Sequence, residues 1–157
     1  MDADADGGLP IAPDLAARRA AWLAHLAHVR RLSPRTVEAY ERDARQFLLF
    51  LAHHLGGPPT VDDVGRLRPA DVRAALARRR GEGAGGRSLA RVLAGVRSLV
   101  GFLEEADGID VAAVRAVGAP KTGRRLPRPV SVAEARGLLA AASEDPEDPL
   151  IAARDAA

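Results

Sequence analysis

Residues 32–55 read LSPRTVEAYERDARQFLLFLAHHL, and the way this stretch begins, repeats and stops decides the fold. Its opening is a helix start. Ser33 offers a side-chain oxygen to free backbone donors, and Pro34 suits the first helical position, where a missing N–H removes only an orphan. Leu32 before the cap and Val37 at the fourth helical position are placed for a hydrophobic staple. Val37, Tyr40, Ala44, Phe47, Leu48, Leu51 and Leu55 then recur with a period of about 3.6 residues, so one face seeks a core. The opposite face carries Arg35, Glu38, Arg42 and Arg45, which puts three guanidiniums on successive turns. His53 and His54 fall at the carbonyl end, where cations suit the helix dipole. Gly56, Gly57, Pro58 and Pro59 stop the helix.

The flanking text is also helical. Upstream, Asp14 is placed to cap a first helix over residues 15–31, with Leu15, Trp22, Leu23, Leu26 and Val29 as its buried stripe. His25 and His28 lie three apart on that helix, but no further ligand is near in sequence, so they do not read as a metal site. Downstream, Val61, Val64 and Leu67 suggest a short turn packed on the core. Pro69 starts a third helix over 69–80, with Val72, Ala75 and Leu76 inward. Arg73, Arg78, Arg79 and Arg80 crowd its end, where the helix dipole accounts for them as well as a nucleic acid would. GEGAGG at 81–86 is a flexible loop. It is no phosphate cradle, because no strand precedes it and no Lys-Ser/Thr ending follows. A fourth helix spans 87–105, with Leu89, Val92, Leu93, Val96, Val100 and Leu103 inward. Arg87, Arg91 and Ser98 share another face, with Arg97 nearby. Gly95 and Gly101 either weaken this helix or permit close packing. Residues 106–119 form a weak last helix or turn.

A chain of 157 residues accommodates one domain and part of a second. Apolar residues make up 47% and aromatic ones only 3%, so the core is built mainly from Leu, Val and Ala, which favours helices. The absence of cysteine excludes a disulfide frame and any Cys-based metal site. No apolar run approaches the roughly 18 residues of a membrane span, and the acidic start MDADADGG is not a secretory signal. The expectation is a cytoplasmic protein without cofactor or membrane contact.

The net charge of +2 hides strong clustering. Residues 18–45 carry seven Arg against three acids, and residues 66–97 carry nine Arg against two. The first 17 residues and the last 21 are each net −4. Of 23 basic residues, 22 are Arg. Codon bias in a GC-rich genome accounts for Arg over Lys but not for the clustering, and the Arg fork suits phosphate oxygens. Residues 1–13 read as a disordered acidic leader. PKTGRRLPRP at 120–129, with three prolines, three arginines and a lysine, reads as an extended basic linker. Ser131 and Glu134 then form a capping box for a new helix through Ala142, and the chain runs on through DPEDP to LIAARDAA.

Taken in order, SPRTVEAYERDARQFLLFL, LRPADVRAAL, GRSLARVLAGVRSLVGFL, APK and LPRPVSVAEARGLLAA resemble the N-terminal part of the tyrosine recombinases, closest to Xer-type resolvases and phage-type integrases. The resemblance runs from about residue 14 to the end. It implies an all-α fold: a small SAM-like bundle of four to five helices over 14–119, the core-binding domain. A basic interdomain linker at 120–130 and an incomplete start of a catalytic domain at 131–157 follow. It also implies that the second and fourth helices approach the major groove of double-stranded DNA. The expected DNA surface is therefore Ser33, Arg35, Thr36, Arg42, Arg45, Arg87, Ser88, Arg91 and Arg97, with Lys121, Arg124 and Arg125 following the duplex along the linker. In the full-length family, other recombinase protomers complete a tetramer on DNA.

The chain departs from the family pattern in places. Gly85 and Gly86 stand where Ser or Thr is frequent, Leu99 and Val100 replace an aromatic pair, and Val111-Ala112-Ala113 replaces a frequent Asn-Pro. The family's catalytic arginines, lysine, His-x-x-Arg motif and nucleophilic tyrosine lie downstream of the matched text. Tyr40 belongs to an apolar stripe and is not that nucleophile, so the expectation is that this chain alone neither cleaves nor joins DNA. Residues 131–157 are expected to pack poorly without the rest of their core. The competing reading is a helical protein-interaction module, in which the Arg faces are merely solvated; salt-dependent duplex binding separates the two.

Overall fold

The computed structural model describes residues 8–119 and Arg136. The chain divides into two units, Met1–Gly123 and Arg124–Ala157. Residues 1–7 of the leader expected at 1–13, the linker from 120 and the capping box with its following helix lie outside the described residues, apart from Arg136.

The described part of the first unit is all-α. Its elements are α1 (Pro13–Ala24), a π-helical turn (His25–Val29), α2 (Pro34–Leu55), α3 (Val61–Gly65), α4 (Pro69–Gly81), α5 (Gly86–Asp107) and α6 (Ala112–Arg115). Among the described residues there is no strand, and no helix is long and apolar enough to cross a membrane.

The second helix forms as its sequence dictates. Ser33 is the N-cap, and its hydroxyl accepts from the Thr36 N–H at 3.3 Å. Pro34 opens the helix, and Gly56 ends it in the left-handed conformation at φ 77° that glycine adopts without Cβ strain. Ala44, Phe47, Leu48 and Leu51 are buried, with Val37 and Tyr40 packed at the edge of the core. Leu55 is 48% exposed, because the buried stripe drifts onto Ala52 in the last turn. Helix α5 supplies the facing surface with Leu89, Val92, Leu93, Val96, Leu99, Val100 and Leu103, all buried. Helix α4 adds Val72 and Ala75, and Val111, Val114 and Val117 around α6 close one end.

Four local expectations change. Asp14 does not cap α1: Pro13 takes an early helical position, so the cap falls on Ala12. The Asp14 carboxylate instead accepts from the Val61 N–H at 3.0 Å, tying the start of α1 to the start of α3. Val29 is 68% exposed rather than buried. The π-helical turn widens the helix just before it ends, which carries Val29 off the stripe that holds Leu15, Trp22 and Leu26. Residues 8–13 are tied to the fold, since Leu9 is buried and the Ala12 N–H donates to the Pro59 carbonyl at 3.0 Å. The turn expected at 61–67 contains a true helix, because Thr60 and Asp63 cap each other's backbone.

Helix α4 starts on a carboxylate with several partners. Asp71 accepts from the Arg68 backbone N–H at 2.8 Å and from the Arg68 guanidinium, and His54 from the end of α2 lies 3.1 Å away. The Arg68 guanidinium, then the Arg68 N–H, hold the Asp71 carboxyl down from 3.8 to about 2. A depressed acid stabilises the fold above its unfolded value, and that contribution disappears as pH falls through the folded value. The difference corresponds to roughly 2 kcal/mol at neutral pH. Thermal melts from about pH 5 down to pH 2 should show the wild-type chain losing this increment below about pH 4. Asp71→Asn should be less stable at neutral pH and lose less over the same window. Parallel acid profiles for the two proteins would contradict the assignment.

Candidate nucleic-acid interface

Helices α2 and α5 share the largest helix–helix contact of the described residues. They run antiparallel, since Asp43 meets Arg91 while Tyr40 meets Gly95 farther along. Gly95 lies at the crossing: a Cβ there would be in van der Waals contact, 3.5 Å from the Asp43 Cβ and 3.7 Å from the Tyr40 backbone. At Gly101 a Cβ would meet nothing within 4 Å, so of the two glycines in α5 Gly95 is the one packed against another helix.

Asp43 is 1% exposed, and Arg91 closes over it. The Arg91 Nε donates to one carboxylate oxygen at 2.8 Å, and Nη2 donates to the other at 3.3 Å. The carboxylate raises the proton affinity of the guanidinium further, through these hydrogen bonds first and through charge second. Sequence reading missed Asp43. Its signal was available, since an acid three residues after Tyr40 and four before Phe47 falls beside the buried stripe.

Many arginines are held by the scaffold. Arg18 pairs with Asp107, Arg66 with Asp62, and Arg68 with Asp71. Arg78 and Arg79 pair with Glu82 one turn on, and Arg115 pairs with Glu104. Arg19 reaches Glu41, so Glu41 is drawn toward α1 as well as lying four residues from Arg45. Arg97, expected on the DNA surface, donates Nη2 to the Val117 carbonyl at 2.6 Å and so holds the chain after α6. Ser33 and Thr36 share a hydroxyl hydrogen bond of 2.9 Å at the start of α2. Ser88 is half-buried and Arg45 partly buried.

Arg35 and Arg42 on α2 and Arg87 on α5 remain exposed and have no ion-pair partner among the described residues. Arg87 lies one turn before Arg91 on α5, and Arg35 and Arg42 lie two turns apart on one exposed face of α2. Lys121, Arg124 and Arg125 lie outside the described residues.

Residues 20–107, from within α1 to the end of α5, match the phage integrase N-terminal SAM-like domain. The chain belongs to the phage integrase family. It is 50% identical over 149 residues to the tyrosine recombinase XerC of Mesorhizobium japonicum, covering 95% of this chain and 48% of that protein. The XerC of Brucella suis is 49% identical over 149 residues, covering 95% of this chain and 47% of the relative. That of Rhizobium meliloti is 50% identical over 145 residues, covering 92% and 46%. The chain thus spans about half the length of the curated relatives it matches. No solved structure matches it.

The α2–α5 seam makes a stability prediction. Arg91→Ala leaves Asp43 as a buried, unpaired carboxylate and should cost about 2–4 kcal/mol. Arg42→Ala removes an exposed side chain and should stay within about 0.5 kcal/mol of wild type. Urea melts of both variants check this, and equal losses would contradict the structural role of Arg91.

Proposed function

We propose that this chain is the DNA-gripping N-terminal portion of a site-specific tyrosine recombinase, acting in DNA integration or chromosome-dimer resolution. The observation that carries the reading is that Arg35 and Arg42 on α2 and Arg87 on α5 are exposed and have no ion-pair partner among the described residues, on the two helices that meet at Asp43 and Arg91. Two of their acidic neighbours are turned elsewhere, Asp43 buried beneath Arg91 and Glu41 drawn to Arg19, while Glu38 stays exposed on the arginine face of α2. A duplex laid across these two helices meets guanidiniums, which match phosphate and guanine edges bidentately. At the N-terminal turn of α2 the hydroxyls of Ser33 and Thr36 offer a second place for a phosphate. Arg45 and Ser88 border the same surface, and Lys121, Arg124 and Arg125 continue the contact along the linker. The binding partners are double-stranded DNA and further recombinase protomers, assembled as a tetramer on the recombination site.

Titration of a labelled duplex at two salt concentrations tests the reading. Arg35→Ala, Arg42→Ala and Arg87→Ala should each weaken binding, by about 1–3 kcal/mol where a base is read. Where only a phosphate is met, each should lower the salt slope by about one unit with little change in sequence preference. Unchanged affinity and slope for all three variants would defeat the DNA reading and favour a protein-interaction module.

A further inference from the structure

We propose that Asp43 is a positioning residue, one that holds the Arg91 guanidinium at a fixed place on the α2–α5 seam for contact with bound DNA. This inference rests on the DNA-binding reading of the same surface.

The geometry divides Arg91 into two halves. Its Nε and Nη2 face inward to the two oxygens of Asp43, at 2.8 and 3.3 Å. That arrangement uses one edge of the planar fork and leaves Nη1 with both its protons for an external acceptor. The side chain is 47% exposed, while the Asp43 side chain is 1% exposed. The carboxylate is thus sealed from solvent, and the cation it holds stands at the surface. A free surface arginine samples many rotamers and loses that freedom when it binds, whereas a guanidinium already fixed by an acid loses little. The anchor is itself buried where α2 crosses α5, beside Gly95.

A purely structural ion pair has different consequences. Replacing such a pair destabilises the fold but leaves a folded variant with its DNA affinity intact. Positioning instead couples the two residues in the binding energy itself, which a double-mutant cycle measures.

The test uses the full chain and a labelled mixed-sequence duplex at two salt concentrations, at a temperature where melts show each variant folded. Asp43→Asn should weaken duplex binding about as much as Arg91→Ala does, roughly tenfold. The double variant should bind no more weakly than Arg91→Ala alone. If Asp43→Asn does not fold, Asp43→Glu takes its place: it retains the charge but displaces the guanidinium by one methylene, and it should lose affinity with a nearly unchanged salt slope. Full affinity in a folded Asp43 variant, or additive losses in the double variant, would overturn the inference. Arg42→Ala separates the two readings. If it weakens binding while the Asp43 variants do not, only the positioning role fails. If wild-type chain shows no salt-dependent binding, the DNA reading itself fails.

Discussion

A carboxylate that solvent barely reaches sets the terms on which the two longest helices meet. Burying Asp43 between α2 and α5 is unfavourable unless its charge is matched, and Arg91 is the match. Neither residue works without the other. A hydrophobic pair of similar shape would be at least as stable, so the ion pair is not explained by stability alone. It fixes register: sliding α5 by one turn along α2 would leave Asp43 unpaired in the core and press a larger side chain than Gly95 against Tyr40. Apolar stripes of Leu and Val tolerate such a slip far better than a buried charge does. The rest of the bundle inherits this register, because α1, α3, α4 and α6 all make contact with α5.

The same pairing sorts the arginines. Helix α5 carries Arg87, Arg91 and Arg97 within eleven residues, and each has a different task. Arg97 secures the Val117 carbonyl after α6, Arg91 balances a buried acid, and Arg87 stands free of ion pairs among the described residues. An exposed salt bridge contributes little to stability, typically below about 1 kcal/mol. The unpaired cations therefore bring the fold no such gain, and their value lies in the field they project. Exposed cations on two adjoining helices raise the local concentration of a polyanion and speed its approach.

Much of this was legible in the sequence because it follows from periodicity and caps. Ser33-Pro34 and Gly56 bound α2 where expected, Pro69 starts α4, and the inward residues expected on the fourth helix, now α5, are all buried. What escaped was decided by tertiary partners. Asp14 has a cap-like position, yet the donor it meets belongs to Val61, 47 residues away. Val29 keeps the α-helical spacing from Leu26, yet the π-helical turn moves it into solvent. The arginine faces were visible as spacing, but which guanidiniums remain available depends on acids contributed by other helices. Arg97 and Arg91 looked equivalent to Arg87 on a helical wheel, and only the positions of Val117 and Asp43 distinguish them.

A surface that binds a polyanion has to keep its own acids away from the ligand without losing the solubility and helix pairing those acids provide. On the surface proposed to meet DNA, this chain turns two of its acids away by direction. Glu41 lies one residue from Arg42 but reaches sideways to Arg19 on α1, and Asp43 lies one residue beyond but turns inward to the seam. Neighbours on a helix are separated by about 100°, so residues adjacent in sequence can face a different helix or the core. Three consecutive charged side chains, Glu41, Arg42 and Asp43, therefore present a single positive group outward. Reversing Arg42 and Asp43 would conserve composition and net charge. It would bury an unmatched guanidinium beside Arg91 and set a carboxylate on the surface proposed to face DNA, so the order of these residues, and not their number, decides which charge points outward.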